Sequence, residues 1–261
     1  MSEGGSLRIE RWRCLMQLPR RVPSLAMAWN DRAFYGDVES LALLLRCGMG
    51  LRQPDMVWHV VASRREGALA ALLGAGLSPA LRDSEGTTWL MMASCFFLQS
   101  GVRRETLIDA ALQHGVDMEA VDFSGRTALM LAAAHDRTDA IDYLLDRGAH
   151  IDARDPFGQN ALMWASMNNS PKAIHTLVAR GGDLEARNHV GMTALLLAAK
   201  NAKKNSLRAL LKSGASPRAV NNFGQSVREC CNIKEILDIV EQFVTANPSN
   251  ASHPAGGVPT P

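Results

Sequence analysis

Aromatic side chains are sparse in this chain, at 5% of 261 residues, although apolar residues make up 47%. A core of that kind is built from Leu, Ala, Ile, Val and Met, which suits closely packed helices better than a wide sheet sandwich. Cysteine is nearly as uninformative. Cys14, Cys47, Cys95, Cys230 and Cys231 are odd in number and have no zinc-site spacing, which argues against a disulfide framework or a metal-stapled domain. The adjacent Cys230 and Cys231 read as small buried hydrophobes in a terminal helix. No apolar run reaches the roughly 18 residues that a membrane helix needs. Arg8, Arg11, Arg13, Arg20 and Arg21 crowd the N-terminus without a continuous apolar stretch beside them, so no secretory signal is expected. The expected setting is cytoplasmic and reducing, with export as an effector left open.

Catalytic constellations are missing as well. The seven histidines contain no His-x-x-x-His pair, and there is no Gly-x-Ser-x-Gly elbow. Gly74-Ala-Gly76 begins like a dinucleotide fingerprint but lacks the third glycine, and it closes a helix instead of opening one. These absences predict a protein that is not an enzyme and holds neither cofactor nor metal.

What is present is a period. Gly125, Gly158, Gly191 and Gly224 lie 33 residues apart, within Asp122-Phe-Ser-Gly-Arg-Thr-Ala-Leu-Met, Asp155-Pro-Phe-Gly-Gln-Asn-Ala-Leu-Met, Asn188-His-Val-Gly-Met-Thr-Ala-Leu-Leu and Asn221-Asn-Phe-Gly-Gln-Ser-Val-Arg-Glu. A fixed period of this length means stacked copies of one small unit. In residues 122–154, Asp122 to Gly125 carry turn chemistry: Asp bonds backbone two residues on, and Gly takes positive φ. Thr127 stands where a helix N-cap belongs. Leu129, Leu131, Ala132 and Ala133 supply a short apolar helix that stops near His135-Asp136. A second helix starts around Thr138, carries Ile141, Leu144 and Leu145 at helical spacing, and ends at Gly148 in a left-handed cap. Neither helix buries its faces alone, so neighbouring units must stack to make the core.

These motifs resemble the ankyrin repeat. Its Thr-Pro-Leu-His corresponds to Thr127-Ala-Leu-Met, Asn160-Ala-Leu-Met and Thr193-Ala-Leu-Leu, and its Leu-Leu-x-x-Gly-Ala to Leu144-Leu-Asp-Arg-Gly-Ala149 and Leu210-Leu-Lys-Ser-Gly-Ala215. Ala for Pro and Met or Leu for His are departures, and the second removes the family's histidine hydrogen-bond network at the loop base. The resemblance implies an all-α ankyrin-repeat solenoid of stacked helix-turn-helix units with β-hairpin loops. On this reading residues 1–23 form a basic segment, a cap or loose, and residues 24–244 the repeat domain of about six units plus a C-terminal cap. Residues 245–261 form a tail of disorder composition. The clearest units are 83–121, 122–154, 155–187 and 188–220. Gly86 and Gly125 are 39 residues apart, six more than the period, which places an insert near Leu98 to Arg103. That insert is either a binding loop or a solvated one closing over Phe96 and Phe97.

For function, the resemblance implies non-catalytic protein binding through a concave surface lined by hairpin tips and inner helices. The expected contact residues are Phe96, Phe97, Arg126, Arg137, Asn168, Lys200, Lys203 and Lys204. Gln159, His189 and Met192 stand at tips too. Phe157 and Phe223, next to the turn glycines, are expected to pack across their hairpins, Trp164 to join the core, and His135 to be a plain helix-end residue.

Charge sharpens the partner. Residues 122–154 hold six acids and four bases, residues 155–187 three of each, and residues 188–220 no acids and six bases, with no Asp or Glu anywhere from Ala186 to Arg228. The partner implied is another protein with an acidic surface, drawn to the C-terminal end of a monomeric stack. No nucleic-acid reading motif accompanies the charge. A specific inhibitor of the toxin-immunity type, or a host-directed effector, would use the same surface. A membrane-surface adaptor would instead use residues 1–22, where Trp12, Leu15 and Met16 stand among the arginines.

Overall fold

The computed structural model describes residues 68–95 and 103–246. Phe96, Phe97, most of the insert, the basic N-terminal segment and the C-terminal tail lie outside the described residues. The chain divides into two compact units, one ending at Asp117 and the other beginning at Met118.

In the first unit, α1 (Ala68–Gly74), α2 (Trp89–Cys95) and α3 (Arg104–Gln113) are short helices, with α3 packed on both of the others. Trp89 is fully buried, and its indole N–H donates to the Ser78 carbonyl at 3.3 Å. Arg104 is buried and donates to the Ala93 carbonyl at 2.5 Å, satisfying an acceptor near the end of α2.

The second unit contains α4 (Ala128–Ala134), α5 (Thr138–Asp146), α6 (Ala161–Met167), α7 (Pro171–Ala179), α8 (Ala194–Lys200), α9 (Lys204–Lys212), α10 (Val227–Cys230) and α11 (Lys234–Ala246). Inner helices alternate with outer ones. The inner helix α6 packs on α4 and α8, and the outer helix α7 packs on α5 and α9. Being covered on several sides, inner helices bury almost every residue; Ala132, Ala165, Ala198 and Ala199 are at zero exposure, where small side chains let backbones approach. Each outer helix buries one stripe: Ala140, Ile141 and Leu144 on α5, Ala173, Ile174 and Leu177 on α7, and Leu207 and Leu210 on α9.

Capping follows the sequence expectations. Thr127, Asn160 and Thr193 accept from the backbone N–H three residues on, at 3.3, 3.0 and 3.4 Å. Gly148, Gly181 and Gly214 end the outer helices at φ of 92°, 90° and 100°. The expected β-hairpins are shallower than the family pattern implies: among the described residues no strand forms, and each loop is a single tight turn.

Between inner and outer helices the chain turns through Asp136, Asn169 and Ala202, all left-handed, at φ of 57°, 60° and 55°. Two of the three use that geometry. Asp136 Oδ1 accepts from Ala173 N at 2.7 Å, and Asn169 Oδ1 accepts from Asn205 N and Ser206 N at 3.2 and 3.3 Å, so each caps the outer helix of the following repeat. Ala202 has no such side chain and bears the strain alone. Ala202→Gly is therefore expected to stabilise the fold by about 0.5–1 kcal/mol, measured as a higher urea midpoint. Asn169→Gly should lower the midpoint, because it removes an inter-repeat bond.

Polar contacts hold the C-terminal cap together. Ser226 and Glu229 form a capping box, and their hydrogen bonds hold the Glu229 carboxyl below its ordinary pKa. Arg228 pairs with Glu241. Of the adjacent pair, Cys231 is buried as expected, whereas Cys230 is half-buried on the short α10. Burial still pushes the Cys230 thiol up in pKa, opposed by the charge of Lys200.

Candidate functional site

The loops of the second unit are built around the residue that opens each repeat. Asp122, Asp155, Asn188 and Asn221 are buried, and one side-chain oxygen of each accepts two loop amides at 2.8–3.2 Å. The turn closes where Gly125, Gly158, Gly191 and Gly224 donate N–H to the same residue's carbonyl at 2.9–3.1 Å. Arginines then tie one loop to the next. Arg154 donates to the Gly158 and Arg187 carbonyls at 2.8 and 2.7 Å, and Arg187 does the same with Gly191 and Val220. The loops also meet directly, His189 N donating to the Phe157 carbonyl at 3.1 Å and Asn222 N to the Val190 carbonyl at 3.2 Å. The tips thus form a hydrogen-bonded row.

Phe157 and Phe223 do not pack across their turns, contrary to the sequence expectation. They are 64% and 75% exposed, and Phe123 is 78% exposed. For Phe157 the reason lies in the neighbouring repeat. Pro156 sits over Gly125, His189 over Gly158 and Asn222 over Gly191, so close that an added Cβ would meet them at 2.1–2.6 Å. The face of the turn that an aromatic would cover in residues 155–187 is already occupied by the next loop, and Phe157 points outward. Beyond Gly224 nothing lies within 4 Å of such a Cβ, and Phe223 is left at the end of the row.

Trp164 is a second correction, being half-buried and not part of the core. Its indole N–H needs an acceptor and finds Asp155 Oδ2 at 3.0 Å, while the Arg126 guanidinium stands 5.5 Å from its ring centroid. Arg126 also binds Asp122 Oδ2 at 2.7 Å. Asp122, Arg126, Trp164 and Asp155 therefore join two repeats through one network.

The other expected contact residues divide. Asn168 is exposed and donates to the Trp164 carbonyl at 2.9 Å, which stops α6. His135 does the analogous job on Leu131 O at the end of α4, as expected of a helix-end residue. Arg137 is half-buried at the N-cap of α5, and Lys203 is half-buried at the N-cap of α9. Lys204, the first residue of α9, ion-pairs with Glu235 of the cap helix. Lys200 is exposed at the end of α8 with no ion-pair partner among the described residues. The three lysines are neighbours in sequence, but of the three only Lys200 lines the pocket between the loops.

Beside Lys200 lies a pocket of about 340 Å³ between the loops of residues 155–187 and 188–220. Phe157, Val190, Met167, Met192 and Leu197 supply its apolar wall, and Gln159, His189, Lys200 and Asn201 its polar groups. Gln159 Oε1 is buried without a hydrogen-bond partner. Sequence reasoning placed Phe157, Gln159, His189, Met192 and Lys200 at tips or helix ends, but missed Val190, Met167, Leu197 and Asn201. One signal was available: Met192 is apolar where the other loops carry Arg126, Gln159 and Gln225. Among the described residues no three His, Cys, Asp or Glu side chains gather as a metal site would require, and no helix is long and apolar enough to cross a membrane.

A family model for ankyrin repeats matches residues 58–155, 99–190 and 148–221, together more than half of the chain. The chain belongs to the ankyrin-repeat family. No curated protein matches it. Ankyrin repeats are in general protein–protein interaction modules. The departures of this ankyrin chain from its family pattern, Met192 and Trp164 among them, lie in the loops and inner-helix faces that the shared framework holds in place.

Proposed function

We propose that this ankyrin protein is a non-catalytic scaffold that holds another protein against its loop tips and inner-helix ends. The observation that carries the reading is the exposure of Phe123, Phe157 and Phe223 on loops whose backbone amides are already bonded. A soluble domain gains nothing in folding from leaving three phenylalanines in water, whereas an interface uses aromatic anchors of this kind. Because the loops are ordered before the partner arrives, association costs little conformational entropy. The acid-free stretch from Ala186 to Arg228 adds a field that speeds the approach of an acidic surface.

The test is affinity purification with the whole chain and with the double variant Phe123→Ser/Phe223→Ser. Interface anchors of this type carry about 2 kcal/mol or more each, so the double variant should bind the recovered partner about a thousandfold more weakly. Its melting temperature should remain near that of the parent, since both side chains are exposed. Equal affinity for parent and variant would remove the tips from the contact zone.

A further inference from the structure

We infer that the pocket beside Lys200 receives one bulky apolar side chain from an acidic segment of the partner, with a flanking carboxylate on Lys200 and a peptide N–H on Gln159 Oε1. The inference rests on the binding role proposed above and names the chemistry of one contact within it.

Three features point to this occupant. The volume, about 340 Å³, lies at the lower end of the roughly 300–1,000 Å³ of small-ligand sites. With walls of Met192, Leu197 and Val190, that space suits an aliphatic or aromatic side chain with its adjoining backbone. Within this wall, Gln159 Oε1 is buried and unpartnered, an acceptor to which the fold supplies no donor. An extended peptide brings an N–H next to the very side chain that fills the pocket. Finally, the charge at the rim is positive and uncompensated. Lys200 has no ion pair among the described residues, and residues 188–220 contain no acid.

The same details disfavour a nucleic acid strand. Binding a strand needs several phosphate contacts and stacking faces along its length. Here Arg187 is spent on the Gly191 and Val220 carbonyls and Lys204 on Glu235, which leaves one lysine beside a largely aliphatic wall.

The probe is the peptide acetyl-Glu-Asp-Leu-Asp-Glu-amide, titrated into the ¹⁵N-labelled full chain. Controls are the same peptide with Leu replaced by Ser, the peptide with both Asp replaced by Asn, and a ten-nucleotide thymidine strand. Binding should shift the Gln159 side-chain amide and the backbone signals of Met192 and Leu197. Serine in place of leucine should weaken it about tenfold, and Lys200→Gln should weaken it about tenfold and flatten its salt dependence. Gln159→Leu, which keeps the loop backbone bonds, should weaken it several-fold. No shift with the peptide, equal affinity for all three proteins, or a response to the thymidine strand alone would each overturn the inference. Phe123 and Phe223 do not line the pocket, so the capture assay on their double variant reports separately. A silent titration with capture still lost in that variant ends the pocket assignment and leaves the scaffold reading standing. Peptide binding intact with capture retained ends the tip reading alone.

Discussion

Gly191→Ala is expected to destabilise the second unit by about 2–4 kcal/mol, whereas Gly224→Ala, at the matching position of the last loop, should cost only about 1 kcal/mol. The two glycines have nearly the same backbone, with φ of 75° and 73°, so the left-handed penalty on alanine is shared. They differ in what the new methyl group meets. At Gly191 it would lie 2.1 Å from Asn222 Oδ1 and 2.6 Å from Asn222 N, and at Gly224 it would meet nothing within 4 Å. The side-chain oxygen can swing away, but the backbone nitrogen cannot, because Asn222 N–H is bonded to the Val190 carbonyl at 3.2 Å. Accommodating the methyl group therefore means separating two loops. Urea titrations of both variants decide the matter: equal losses would show that backbone strain alone sets the cost and that the loop-to-loop contact is soft.

Asp155→Ala is the other large effect, at roughly 3–5 kcal/mol. The buried carboxylate accepts from Phe157 N at 2.9 Å, Gln159 N at 2.8 Å and the Trp164 indole at 3.0 Å. Removing a charged acceptor strands all three donors, at about 1–3 kcal/mol for each that water cannot reach. Asp155→Asn should lose much less, because its carbonyl oxygen can keep both loop amides. Asn188 and Asn221 already serve their loops in that way. What asparagine cannot do is offer a second acceptor to Trp164, so the variant's loss should appear as a shift in tryptophan fluorescence with a small fall in melting temperature. An alanine variant as stable as the parent would mean that the loop holds itself without the carboxylate. Because Asp155 sets the amides of Phe157 and Gln159, the alanine variant should also lose peptide binding at the pocket.

Much of the fold was legible in the sequence because its determinants are local. The caps at Thr127, Asn160 and Thr193, the left-handed glycines at 148, 181 and 214, and the turns opened by Asp122 and Asp155 each need only a few residues of context. The site was less legible. Trp164 looked like core because it replaces an apolar residue, but its N–H bonds a carboxylate nine residues earlier under an arginine of the preceding repeat. Lys200, Lys203 and Lys204 were all expected in the contact zone, but α9 begins at Lys204, whose side chain pairs with Glu235.

The period of 33 residues, with the cap residues inside it, determined that residues 122–220 are stacked helix pairs and where those helices start and stop. Whether a side chain at a loop tip is covered was decided only by the tertiary structure. The covering group comes from the neighbouring repeat, as His189 does over Gly158, and the last loop has none. Local rules fix backbone conformation within a turn, while exposure is a property of the stack. The outward Phe157 follows from that difference.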